Sequence, residues 1–226
     1  MKAYPIDILT NEWWLGISSA ILIIVFIILF FKNKNKKNQI LFMKVMSVIF
    51  LTSWFYQFFY ELSNEIWSVN DSLPLHLCRI SFIICILNFW NPKQWMFEWC
   101  LFLSIPAGLQ AILTPELPLG RSNWLLFYYY FSHASIIFVP LYLSIVMNMK
   151  PRKQAWIKSF LYLQILGLIC LPLNYIFDSN YLLLRYAPSI DSPFLFIDKW
   201  PWYLFVLQFA FFLHILILKF IFPHKK

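Results

Sequence analysis

The chain is 226 residues long, 61% hydrophobic and only 12% charged, too little polar surface to cover a soluble globule of that size. Its net charge of +8 is divided among short connections with no folded module to present it to a nucleic acid, so anionic lipid headgroups are the expected partners of the basic residues. The composition predicts an all-α, polytopic membrane helical bundle.

Seven apolar runs follow one another along the chain, at 13–31, 40–60, 74–90, 95–113, 124–147, 155–177 and 202–222. Each is long enough, or nearly so, to cross a hydrocarbon layer ~30 Å thick. The third is the shortest. The runs are continuous and do not alternate, which favours helices over a barrel, because a spanning segment must satisfy its backbone internally. Trp13, Trp14, Trp90, Trp95, Trp124, Trp156, Trp200 and Trp202 stand at run ends as interfacial anchors. The first run meets Lys32 at once and lacks a small-residue cleavage site, so it is expected to remain as an anchor.

Basic residues set the predicted orientation. One set of connections and the C-terminal tail hold Lys32, Lys34, Lys36, Lys37, Lys93, Lys150, Arg152, Lys153, Lys225 and Lys226, whereas the other holds Lys2, Arg121, Arg185 and Lys199. The positive-inside rule then predicts N-out, C-in, in accord with an odd span count. No repeat or second polar domain is evident. Residues 1–226 read as one transmembrane domain, with an outer cap loop at about 178–199 that carries Pro188 and Pro193.

Candidate chemistry begins at LPLHLC, 73–78, where histidine and cysteine stand at the start of the third run and Arg79 follows. Pro74 can serve as a first helical residue, which places Cys78 about one turn inside a helix N-terminus, a position that favours a thiolate. Cys78 is the candidate nucleophile. Cys85, Cys100 and Cys170 are expected to pack as small hydrophobes, and no zinc or redox spacing is present. His76, two residues before Cys78, points to a nearly opposite helix face. His133 is the better-placed base, ~14 Å deep against ~6 Å for Cys78 at ~1.5 Å per residue, an offset that helix tilt must close. His76 and His133 both stay open as the base. A zinc site from His76, His133 and His214 would spread its ligands over most of the outer two-thirds of the bilayer, so neither metal nor cofactor is expected. Lys44, Glu98, Lys158 and Lys219 lie within about two turns of a span end, where charged heads can snorkel. The lack of a mid-membrane acid chain argues against an ion pump or proton-coupled transporter.

The chain resembles the bacterial YwaF-like integral membrane proteins, related to eukaryotic transmembrane protein 164. The resemblance rests on LPLHLC at 73–78, GLQAILTPE at 108–116, FSH at 131–133, NY at 180–181 and WPWY at 200–203. It implies a seven-span bundle and acyl transfer between membrane lipids by a cysteine nucleophile and a histidine, which map onto Cys78 and His133. A more distant similarity is to the androgen-induced-gene lipid hydrolases. Substrate-binding or supporting candidates are His76, Arg79, Glu61, Tyr130, Asn180 and Tyr203. The expected activity is a cell-membrane acyltransferase with its site toward the extracellular side, moving a fatty acyl chain from a phospholipid through a Cys78 thioester to a lysophospholipid or a lipoprotein amine. A hydrolase using the same pair and a non-catalytic permease or lipid-handling bundle are the alternatives. Oligomeric state is not legible in the sequence.

Overall fold

The computed structural model describes residues 4–187, 197 and 199–224. Residues 188–196 and 198 of the expected cap, and Lys2, Lys225 and Lys226 of the charge count, lie outside the described residues. The apolar runs become α1 (Asn11–Lys32), α2 (Lys36–Ser63), α3 (Leu77–Trp90), α4 (Gln94–Leu113), α5 (Asn123–Ile145), α6 (Ala155–Ile176) and α7 (Trp202–Ile221). Polar side chains ahead of the runs set several starts. Thr10 accepts from the Trp13 N–H at 3.3 Å, Asn35 from that of Asn38 at 2.9 Å and Ser122 from that of Leu125 at 3.1 Å, each satisfying an N–H that the helix cannot.

Among the described residues six helices are long and apolar enough to cross a membrane. The exception, α3, has 14 residues and covers only ~21 Å. It begins at Leu77 with His76 as its N-cap, so the expected start at Pro74 is corrected. Tertiary bonds explain the delay. The Leu73 N–H is held by the Tyr181 hydroxyl at 3.2 Å, and the Ser72 carbonyl accepts from Arg79 Nη1 at 2.6 Å. Leu75 N–H turns back to the Leu73 carbonyl at 2.8 Å, leaving residues 73–76 in a turn that cannot join the helical ladder.

The helices alternate in direction. The start of α1 is tied to the end of α4 by Trp13 Nε1 donating to the Leu113 carbonyl at 2.9 Å, and the end of α2 to the start of α5 by Tyr60 donating to Ser122 at 2.9 Å. At the opposite end Tyr142 of α5 donates to the Gln39 carbonyl of α2 at 3.2 Å. Side chains such as Leu15, Phe26, Leu168 and Phe220 project outward at 68–79% exposure, a surface suited to lipid and not to water. The protein is a multi-pass membrane protein.

Protein covers 72% of the apolar stretch of α4 against 17% for α1 and 11% for α7, so α4 is the axis of the bundle. Midway it widens into a fully buried π turn, Cys100–Ser104, where the Ile105 N–H reaches back to the Cys100 carbonyl. Pro106 follows. It has no N–H to return to Phe102, which accounts for a break in the ladder here. A short antiparallel pairing of Tyr4–Pro5 with Glu116–Leu117 covers the end of α4.

Candidate active site

Two consecutive residues of α4 bring the sequence-predicted pair to one seam. The Cys78 thiol, partly buried in the first turn of α3, points to the Ala107 carbonyl at 3.8 Å. The next residue, Gly108, lies against α5 so closely that a Cβ there would stand 2.9 Å from the His133 carbonyl and 2.7 Å from Ile137. Only glycine permits that approach. The Cys78 thiol and the His133 backbone therefore lie against successive residues of α4, from α3 and α5.

His133 Nδ1 lies 2.7 Å from the Tyr129 carbonyl, one turn earlier. A carbonyl can only accept, so Nδ1 carries the proton and the neutral ring keeps Nε2 as its basic nitrogen. The Tyr129 ring also lies against the imidazole, with centroids 4.3 Å apart. Its hydroxyl donates to the Ala111 carbonyl at 2.8 Å and accepts from the Glu116 N–H at 3.3 Å. Both partners belong to the GLQAILTPE stretch.

The remaining candidates fall into three places. Arg79 heads a polar chain: its Nη2 donates to Glu61 at 3.3 Å, Gln57 donates to the same carboxylate oxygen at 2.8 Å, and Trp124 Nε1 donates to Gln57 at 2.8 Å. Glu61 is buried at 2% side-chain exposure while Arg79 keeps 23%. The chain thus links α2, α3 and α5 around a charge that remains partly open.

His76 packs edge-on against Tyr181, centroids 4.9 Å apart. Tyr181 is buried, donates to the Val69 carbonyl at 2.6 Å and accepts from the Leu73 N–H. Burial pushes its phenol above the ordinary tyrosine range, so the hydroxyl stays a proton donor and holds this loop across ordinary pH. Asn180 makes no hydrogen bond to that loop among the described residues. It organises the segment after α6, donating to the Tyr186 carbonyl at 2.8 Å and accepting from the Arg185 N–H at 2.9 Å. Tyr203, fully buried at the start of α7, donates to the Leu183 carbonyl at 2.8 Å and ties that helix to the same segment.

Tyr130 lies elsewhere. One residue beyond Tyr129, it is turned ~100° around α5 onto α1, where a Cβ at Gly16 would collide with its ring. Its hydroxyl is buried without a hydrogen-bond partner among the described residues. Sequence reasoning singled out Tyr130 and missed Tyr129, although a four-residue spacing to His133 marks Tyr129 as a helix neighbour as much as three marks Tyr130. Gln57, four residues before Glu61, carried the same signal.

At the opposite end Glu98 corrects an expectation. Instead of snorkelling, it is buried at 5% side-chain exposure and takes the Arg152 backbone N–H at 2.8 Å, Nε at 2.9 and 3.1 Å and Nη2 at 2.6 Å. A guanidinium fork from the α5–α6 connection removes the need for water. Cys85 and Cys100 are fully buried with sulfurs 3.6 Å apart, and Cys170 is buried as well, its thiol directed to the Leu75 carbonyl at 3.9 Å. No group of three or more histidine, cysteine or acidic side chains suited to a metal occurs among the described residues.

No curated protein and no solved structure matches the chain. The family model that does match covers residues 8–219, reaching through α1 and α2 as well as the motif-bearing helices, and supports the relation to transmembrane protein 164 without singling out the YwaF-like branch. By this match over most of its length, the chain belongs to the TMEM164 family.

Proposed function

We propose that the protein is a membrane acyltransferase in which Cys78 and His133 form the reacting pair. The observation that carries this reading is the shared α4 turn: Ala107 meets the thiol and Gly108 meets the His133 backbone. His133 Nε2 takes the thiol proton as sulfur attacks the ester carbonyl of a phospholipid. First-turn N–H groups of α3, which a helix leaves unpaired, would receive the negative charge on the carbonyl oxygen. Collapse releases the lysophospholipid alcohol, protonated by His133, and leaves an acyl thioester. An incoming lysophospholipid hydroxyl or lipoprotein amine then loses its proton to His133 and takes the acyl group, and the thiol is restored.

Arg79 would bind the donor phosphate while remaining tied to Glu61, since a guanidinium has five N–H donors and the described bonds use Nη1 and Nη2 once each. His76 would help to fix the headgroup from the loop that Tyr181 clasps. The orientation expected from the basic residues puts the site at the outer leaflet of the cell membrane, with the chain acting as one domain and the segment after α6 as its cap.

A phospholipid labelled in its acyl chain, given to the purified protein in vesicles, should leave a protein adduct released by neutral hydroxylamine. Cys78→Ala should abolish adduct and turnover together. Unchanged transfer by folded Cys78→Ala would refute the reading, and free fatty acid as the main product would make the enzyme a hydrolase. An impermeant thiol reagent added to sealed cells should not modify a single cysteine introduced at Asn35.

A further inference from the structure

Two histidines in this bundle make the same backbone contact. His133 Nδ1 lies 2.7 Å from the carbonyl of Tyr129, and His214 Nδ1 lies 2.7 Å from the carbonyl of Ala210. That contact is a local property of a helical histidine and distinguishes neither. What differs is the residue one turn earlier. Ahead of His214 stands alanine. Ahead of His133 stands a tyrosine whose ring lies against the imidazole and whose hydroxyl is fixed at two points on another part of the chain, the Ala111 carbonyl and the Glu116 N–H.

The stretch that carries those two points is itself held at other residues. The Leu113 carbonyl accepts from Trp13 Nε1, and the Pro115 carbonyl accepts from the Ile6 N–H at 2.9 Å. Residues 111–116 thus form a socket braced by the N-terminal segment. An imidazole on a helix can otherwise rotate about its side-chain torsions. A ring anchored at its far end blocks one side of that rotation, and a base within reach of a proton is effective only when held there.

We propose that Tyr129 is the positioning residue of His133: moored through its hydroxyl to Ala111 and Glu116, it holds the imidazole in the Nδ1–H form and leaves Nε2 to accept the proton. This rests on the acyltransferase reading for its catalytic consequence, although the mooring itself can be read without turnover. The same geometry assigns the GLQAILTPE stretch a job, since its carbonyl and N–H form the socket.

The test uses the full chain in detergent or nanodiscs with 15N-labelled histidine, the signal lost in His133→Gln being assigned to His133. Wild-type His133 should show the Nδ1–H tautomer alone. Tyr129→Phe keeps the ring and removes the mooring, so His133 should become a mixture of tautomers. The rate of Cys78 acylation should fall about 10- to 100-fold, with KM for the phospholipid donor changed less than about twofold. A purely structural tyrosine would lower the folded fraction and leave the tautomer alone.

Wild-type His133 in the Nε2–H form overturns the proposal, and needs no variant to fold. So does a Tyr129→Phe protein with the wild-type acylation rate and one tautomer. If Cys78→Ala still forms the adduct, the acyltransferase reading fails on its own. The tautomer in wild type and Tyr129→Phe then still decides whether Tyr129 positions the ring.

Discussion

The two ends of the bundle each bury a carboxylate beside an arginine and place cysteine nearby, yet they are built in opposite ways. At the α4 start, Glu98 is saturated by four contacts from Arg152, including its backbone N–H, and Cys85 and Cys100 are closed from all sides. At the α4 end, Glu61 receives a single 3.3 Å bond from Arg79, Cys78 has a long contact to a carbonyl, and His133 retains an imidazole nitrogen to accept a proton. Residue types alone would not separate the two ends. Spare bonding capacity does, and a site that must bind and release a substrate needs it, whereas a closure does not.

The largest expected effect is loss of the reactive thiol. Cys78→Ala should remove the hydroxylamine-labile adduct entirely, and Cys85→Ala and Cys100→Ala should both retain it, measured by acyl label on the purified protein. His133→Ala should slow adduct formation by about two to four orders of magnitude, the usual worth of a positioned base. An adduct surviving in Cys78→Ala and lost in Cys100→Ala would invert the comparison.

Next in size is the closure. Breaking a buried ion pair by removing one partner costs ~3–5 kcal/mol, but Arg152 is 53% exposed and water can take over part of its role. Arg152→Met should therefore lower unfolding stability by roughly 2 kcal/mol, read from thermal melting in detergent, with transfer per folded molecule unchanged. Glu61→Gln should do the reverse. The amide still accepts from Gln57 and Arg79, and exchanging a charged for a neutral hydrogen bond costs about 1 kcal/mol. Melting should move little, while acylation drops about five- to tenfold as Arg79 and the first turn of α3 lose their fixed anchor.

Span positions were legible because apolar runs and terminal tryptophans are local: each helix boundary falls within a few residues of its run, apart from the longer α2. The start of α3 was not, because Tyr181 and Arg79 stop it from outside, the first being 108 residues from the Leu73 N–H it binds. Glu98 looked free to snorkel since its partner is 54 residues away. At the candidate site, Cys78 and His133 stood out as polar groups in apolar runs. Their common neighbour, the Ala107–Gly108 step, could not be read without the helix crossing. The choice between Tyr129 and Tyr130 was not settled by spacing, since residues three and four before His133 both lie about one turn away; the turn of Tyr130 onto Gly16 of α1 separates them.

The smallest expected effect sharpens the comparison most. His214 shares with His133 a membrane helix, partial burial and the 2.7 Å contact to a carbonyl one turn back. If that contact were enough to make a base, the two should matter alike. Ala210 stands four residues before His214, where His133 has the moored Tyr129. His214→Ala should therefore change acylation by less than about twofold, against the ~10²–10⁴-fold loss expected for His133→Ala. Equal losses in the two variants, both folded, would mean that the working base is not selected by its mooring and that the chemistry extends to the α7 side of the bundle.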